Sequence, residues 1–258
     1  MPSEQERRFS GSVALVTGAS GGVGRCIALR LANEGAHLAL VGRRLGLLRA
    51  LATECEGLAP RVTLYQTDLA ELEQVRSLAE RVQTDFDGLH ILVHSAGVFA
   101  MSGIATANIG DFDRQYYCNV RAPFALTKLL LPCLVAHQGQ VVFINSTAGL
   151  QAAAGISQYA ATKHALRALA DSLREEANTQ GVRVLSVFLG RTATPMQAAI
   201  HELEGKPYDP AELIQPSQVA AIVAEVLALE RDAEVTDIRI RPMRKPTQPS
   251  KTGAKGRV

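Results

Sequence analysis

Short, nearly continuous apolar runs rich in β-branched residues recur along the chain. Between them lie longer stretches in which apolar residues return every three or four positions. The runs are VALVT (13–17), HLALV (37–41), RVTLYQT (61–67), HILVH (90–94), QVVFIN (140–145), VRVLSVF (182–188) and VTDIRI (235–240). A strand with one wet face alternates apolar and polar residues; these runs do not, so both of their faces are expected to be covered. Strand–helix alternation at this spacing predicts an α/β fold, a doubly wound parallel sheet of about seven strands with helices on both faces. No repeat or Pro/Gly/Ser-rich linker interrupts it. The reading is therefore one domain over residues 10–243, after a flexible N-terminus of residues 1–9. Two segments break the alternation. Residues 190–215, GRTATPMQAAIHELEGKPYDPAELIQ, are too long for a plain connection and are expected to form a substrate lid. Residues 244–258 contain no acidic side chain and little that packs, so they read as a basic disordered tail.

Composition narrows the partners. The chain has 258 residues, 47% hydrophobic and 20% charged, with a formal net charge of +2. That balance allows a substantial core and argues against a dedicated nucleic-acid binder. Cys26, Cys55, Cys118 and Cys133 form no CxxC pair, and the six histidines are dispersed along the chain, so no metal is expected. The polar start MPSEQERRFS does not read as a signal peptide, and no run approaches an uninterrupted apolar span. A cytoplasmic protein that does not enter the membrane is the expectation.

The first apolar run passes into TGASGGVG (17–24) and straight on into a helical pattern. Gly18, Gly22 and Gly24 fall where a strand-to-helix turn must bend, admit a pyrophosphate and let the helix pack on the sheet. The free N–H groups at the helix start then face the phosphates. The second run ends in Val41-Gly42-Arg43-Arg44, where an acidic residue would favour the ribose hydroxyls of NAD. Two guanidinium groups suit a 2′-phosphate instead, which points to NADP(H). Asp68, in Thr67-Asp68-Leu69 at the end of the third run, is placed to accept from the adenine amino group.

QYAATK (158–163) puts Tyr159 and Lys163 four positions apart, on one face of a helix. A phenol with a pKa near 10 is a sluggish acid at neutral pH, and a neighbouring ammonium is expected to lower it. With the glycine turn before it, this motif makes the chain resemble the short-chain dehydrogenase/reductase family over about residues 10–240. Asn119 in CNVRAPF and Ser146 in INSTAG extend the match. The resemblance implies a Rossmann-type fold and a hydride transfer between NADP(H) and a carbonyl or secondary alcohol. Tyr159 is then the general acid/base, Ser146 holds the substrate oxygen, and Lys163 binds the nicotinamide ribose. Asn119 supports a water chain to the tyrosine. It also assigns cofactor contacts to Ser20, Gly21 and Val23 in the turn, to Leu69, and to Ala96 and Gly97. Gly190, Thr192 and Thr194 complete that set.

Two departures stand out. The family's NNAG appears as His94-Ser95-Ala96-Gly97, and its Pro-Gly after the sixth strand as Leu189-Gly190. Stretches 98–110 and 150–157 are mostly small and apolar, favouring a neutral, fairly apolar substrate, while Arg191 and Lys206 keep an acidic one open. The resemblance also implies a homodimer or homotetramer built on helices 113–136 and 158–178. The alternative reading is a non-catalytic NADP(H)-binding sensor, against which the intact Tyr159–Lys163 pair argues. An epimerase or dehydratase on the same scaffold would need a larger C-terminal region.

Overall fold

The computed structural model describes residues 7–243. All seven runs are strands: Val13–Thr17 (β1), His37–Gly42 (β2), Val62–Gln66 (β3), Ile91–His94 (β4), Gln140–Ser146 (β5), Arg183–Leu189 (β6) and Asp237–Ile240 (β7). They form one parallel sheet in the order β3-β2-β1-β4-β5-β6-β7. From edge strand β3 the chain returns to β4 beside β1. That reversal opens a crevice at the carboxyl ends of β1 and β4, where Thr17 pairs with Val41 on one side and His94 on the other.

The strands lack alternation because each face has its own core. Ala14, Val16, Leu38 and Leu40 point to one side, beneath helices Gly22–Asn33 (α1), Leu45–Glu54 (α2) and Pro216–Leu227 (α8). Leu15, Ala39 and Val41 point to the other, beneath Leu72–Asp85 (α3), Ala122–Ala136 (α5) and Ser157–Ala177 (α6). In α3 the buried residues are Val75, Leu78, Ala79 and Val82, the one-face spacing of an amphipathic helix. Each such fully buried Leu or Val contributes about 1.5–3 kcal/mol.

Helix Ile109–Tyr116 (α4) runs through a π turn, Tyr117–Arg121, into α5. Pro123 has no N–H to close a helical ring on the Asn119 carbonyl, and the ladder widens there. By length and composition, residues 109–136 would pass for a membrane span. Leu126, Leu130 and Leu134 instead fill the second core, which accounts for that apolarity.

The expected flexible N-terminus needs correcting for residues 7–9. Phe9 is buried, Arg7 donates to the Leu58 carbonyl at 2.6 Å, and Arg8 bridges Glu34 at 2.6 Å and Glu225 at 2.7 Å. Residues 1–6 and the tail 244–258 lie outside the described residues. Segment 190–215 is a closed loop carrying helix Pro195–Leu203 (α7). At its base Thr192 pairs with Ile214, through Ala193 N–H to the Ile214 carbonyl (2.8 Å) and Ile214 N–H to the Arg191 carbonyl (3.1 Å).

Candidate active site

Beyond β1 the chain turns on Gly18, at φ +68°, where a Cβ would lie 2.8 Å from the Ala96 main chain. A Cβ on Gly24 would lie 2.6 Å from the Gly18 carbonyl oxygen, so glycine is required for α1 to approach the sheet. Helix α1 begins with no side-chain cap at Gly21 and no acidic residue in its first turn. Its free N–H groups and positive dipole end therefore face the crevice. The guanidinium of Arg44 lies 3.6 Å from where a Gly21 Cβ would stand, which brings it to this turn. Arg43 lines the same cleft, its carbonyl accepting from the Gln66 amide at 3.2 Å. The Asp68 carboxylate accepts from Ala70 N–H at 3.0 Å and stands at the cleft wall with Leu69.

Thr17, which the sequence reading passed over, organises the opposite lip. Its hydroxyl donates to the Val93 carbonyl (3.1 Å) and accepts from the N–H groups of Ser95 (3.1 Å) and Ala96 (3.2 Å). This fixes the backbone of residues 93–96 at the lip of the cleft. His94 is a core residue, buried, bonded to the Thr127 hydroxyl at 2.8 Å and stacked on Phe143.

The π turn presents Asn119, fully buried behind the cleft. Its amide clamps Val98, donating to its carbonyl and accepting from its N–H, both at 2.9 Å, and also donates to the Thr162 hydroxyl at 3.2 Å. Thr162 ties this seam to α6 by donating to the Tyr159 carbonyl. Asn145, also missed, joins β5 to α6: it donates to the Lys163 carbonyl at 3.1 Å and accepts from Ser146 N–H at 2.7 Å. Its place directly before Ser146 was the available signal.

Ser146, Tyr159 and Lys163 meet in the cleft. Ala148 N–H donates to the Ser146 hydroxyl oxygen at 3.1 Å, leaving the serine proton free to donate. The Lys163 ammonium lies 5.8 Å from the Tyr159 ring centroid and donates to the Ile144 carbonyl at 3.1 Å. The expectation that lysine lowers the phenol's pKa does not hold for the protein alone. Burial dominates and pushes Tyr159 up to about 12, with the neighbouring Ser146 hydroxyl pulling partly back. Burial likewise pushes Lys163 down to about 8.

One cleft of about 710 Å³ collects nearly every expected site residue: Gly18, Ser20 to Val23, Arg43, Arg44, Asp68, Leu69, Ala96, Gly97, Ser146, Tyr159, Lys163, Gly190, Thr192 and Thr194. Gly24 and Asn119 stand behind its walls. Farther out, Arg191 bonds both carboxylate oxygens of Glu204 through Nη2, at 2.6 and 2.8 Å, and Lys206 joins Glu204 at 2.9 Å. Arg191 Nη1 also approaches Nε2 of His201 at 3.3 Å; with His201 Nδ1 donating to the Gln197 carbonyl, Nε2 is an acceptor. Burial alone would raise the Glu204 pKa, but Arg191 and Lys206 outweigh it and hold the group below its usual value.

Residues 12–205 match the family described as short chain dehydrogenase. Among curated proteins, a glycine betaine reductase of Emericella nidulans is 32% identical over 244 residues; the match covers 92% of this chain and 19% of that protein. A short chain dehydrogenase from Burkholderia cenocepacia, solved with NADP, is 31% identical with a TM-score of 0.80, over 90% of this chain and 97% of that one. An alcohol dehydrogenase from Thermococcus sibiricus, solved with 5-hydroxy-NADP, is 26% identical with a TM-score of 0.83, over 92% and 99%.

Proposed function

Because the chain belongs to the short chain dehydrogenase family, we propose that it is an NADP(H)-dependent oxidoreductase interconverting a ketone or aldehyde and the corresponding alcohol. The observation that carries this reading is the meeting of Ser146, Tyr159 and Lys163 in a cleft that begins at an uncapped, glycine-lined helix start. The residues fit the cofactor: the uncapped start of α1, with no acidic residue in its first turn, leaves free N–H groups for a pyrophosphate, and Arg44 stands beside Gly21 for a 2′-phosphate. The NADP and 5-hydroxy-NADP bound to the two solved relatives support the same choice.

Bound there, NADPH would supply the hydride and NADP⁺ would carry a positive charge on its ring. The protein's own residues handle the oxygen and the proton. Ser146 donates to the substrate oxygen and stabilises developing negative charge there. Tyr159, with a pKa of about 12 in the protein alone, enters reduction protonated and gives its proton to that oxygen. Lys163 holds the ribose hydroxyls of the cofactor, and Asn119 positions the wall behind it through Val98 and Thr162.

The substrate end is lined by Phe99, Ala153, Ile156, Met196 and Ile200, which supports a neutral, fairly apolar compound. Ile109, Phe112, Tyr116 and Phe124 are exposed along α4 and α5, which supports a homo-oligomer meeting on that face. The four cysteines are free thiols, which supports a reducing, cytoplasmic setting.

Absorbance at 340 nm with a panel of carbonyl compounds and alcohols, each with NADPH and NADH, tests the reading. Turnover is expected, and Tyr159→Phe should lower kcat by about 10²-fold or more with cofactor affinity nearly unchanged. Alcohol oxidation should accelerate with rising pH, while carbonyl reduction gains nothing. A Tyr159→Phe variant retaining more than about a tenth of wild-type kcat rules out the proton-donor role.

A further inference from the structure

The apolar substrate end of the cleft contains one charged construction, Arg191 and Glu204, and both line the space that Tyr159 faces. We propose that Glu204 sets the charge of the substrate: by occupying Arg191 it closes the cleft to anionic carbonyl compounds and keeps it for neutral ones. This rests on the oxidoreductase reading above.

Arg191 follows Gly190 at the end of β6, where an unpaired guanidinium would read a substrate carboxylate through its planar fork. Glu204 already takes that place, both of its oxygens bonded to Nη2. An incoming anion must displace a carboxylate that is tethered to the same loop, and must then sit beside it. Lys206 also bonds Glu204, so the carboxylate has a second anchor.

Two features argue that the pair is more than a strap. The base of the loop is already closed by the Thr192–Ile214 pairing and its two backbone hydrogen bonds. Glu204 also caps the C-terminus of α7, where the helix dipole disfavours a negative side chain. Helix stability would select another residue there. Without Glu204, Arg191 would leave an unpaired positive charge in the cleft lining.

The test compares an aldehyde ending in a carboxylate with its methyl ester, under NADPH, in the wild type and Glu204→Gln. The acid-to-ester ratio of kcat/KM should rise at least about tenfold in Glu204→Gln. It should fall back in Arg191→Met/Glu204→Gln, and stay at the wild-type value in Glu204→Asp. In parallel, butanoate should raise the melting temperature of NADP⁺-loaded Glu204→Gln saturably and leave that of the wild type unmoved. An unchanged ratio, a gain that persists without Arg191, or equal stabilisation by butanoate in both proteins overturns the proposal. Should the wild type turn over neither aldehyde, the butanoate comparison decides the charge filter alone, and the oxidoreductase reading is decided by the carbonyl and alcohol panel above. Should Glu204→Gln fold poorly, Glu204→Ala is read by the same two measurements.

Discussion

His94 stands where the family's pattern has asparagine, and its surroundings determine how it titrates. With an apolar wall on one side, Phe143 on another and one hydroxyl partner, the imidazole has no compensation for a charge. Burial pushes its pKa down to about 3. Above about pH 6.5 it is neutral in both folded and unfolded chains and contributes no pH dependence. Below that, the unfolded chain takes up a proton that the folded one refuses until about pH 3, so stability falls as pH falls. Urea unfolding at a series of pH values from 7.5 down to 5 should show it. The stability of His94→Asn should decline less steeply than that of the wild type, by up to about 1.4 kcal/mol per pH unit. Parallel profiles would mean that His94 is not the group responsible.

At the scale of elements, the rod formed by α4, the π turn and α5 serves two surfaces at once. One side packs Leu126, Leu130 and Leu134 into the second core and turns Asn119 towards α6. The other exposes Ile109, Phe112, Tyr116 and Phe124. Such a stripe is costly to leave wet, and a second copy of the same face would cover it symmetrically. Phe124→Asp is therefore expected to shift the protein towards monomer in sedimentation velocity, with near-UV and far-UV circular dichroism unchanged. A wild type that sediments as a monomer at micromolar concentration would remove the basis for this expectation. The strand elements were legible because burial on two faces leaves continuous apolar runs. The π turn was harder to see, since its signal is a single proline four residues after Asn119.

For the whole molecule, the reversal of strand order gathers residues from every part of the chain into one cleft. Gly18 and Arg44 come from its start, Ala96 and Tyr159 from its middle, and Thr194 from its last third. Cofactor choice is a property of that assembly. Arg43 and Arg44 are exposed, so screening keeps each contact near the lower end, about 1.5 kcal/mol. NADPH is expected to raise the melting temperature more than NADH, and to bind at least about tenfold more tightly. In Arg43→Ala/Arg44→Ala the preference should collapse. Equal affinities in the wild type, or a preference untouched by the double substitution, would defeat the assignment.

The sequence by itself determined the seven strands and the glycine turn, because those features depend on local periodicity and backbone freedom, while its resemblance to the family singled out Asn119, Ser146, Tyr159 and Lys163. Tertiary structure decided what depends on neighbours distant in the chain. Thr17 supports the lip after β4, because it lies across the sheet from residues 95 and 96. Phe9 and Arg8 dock because α1 and α8 offer a pocket and two carboxylates. The phenol of Tyr159 is raised and not lowered, because desolvation outweighs the Ser146 hydrogen bond that pulls it down. Arg191 meets Glu204 because the loop between them closes at its base. No pattern along the chain encodes the dielectric around a side chain or the partner that folding brings to it.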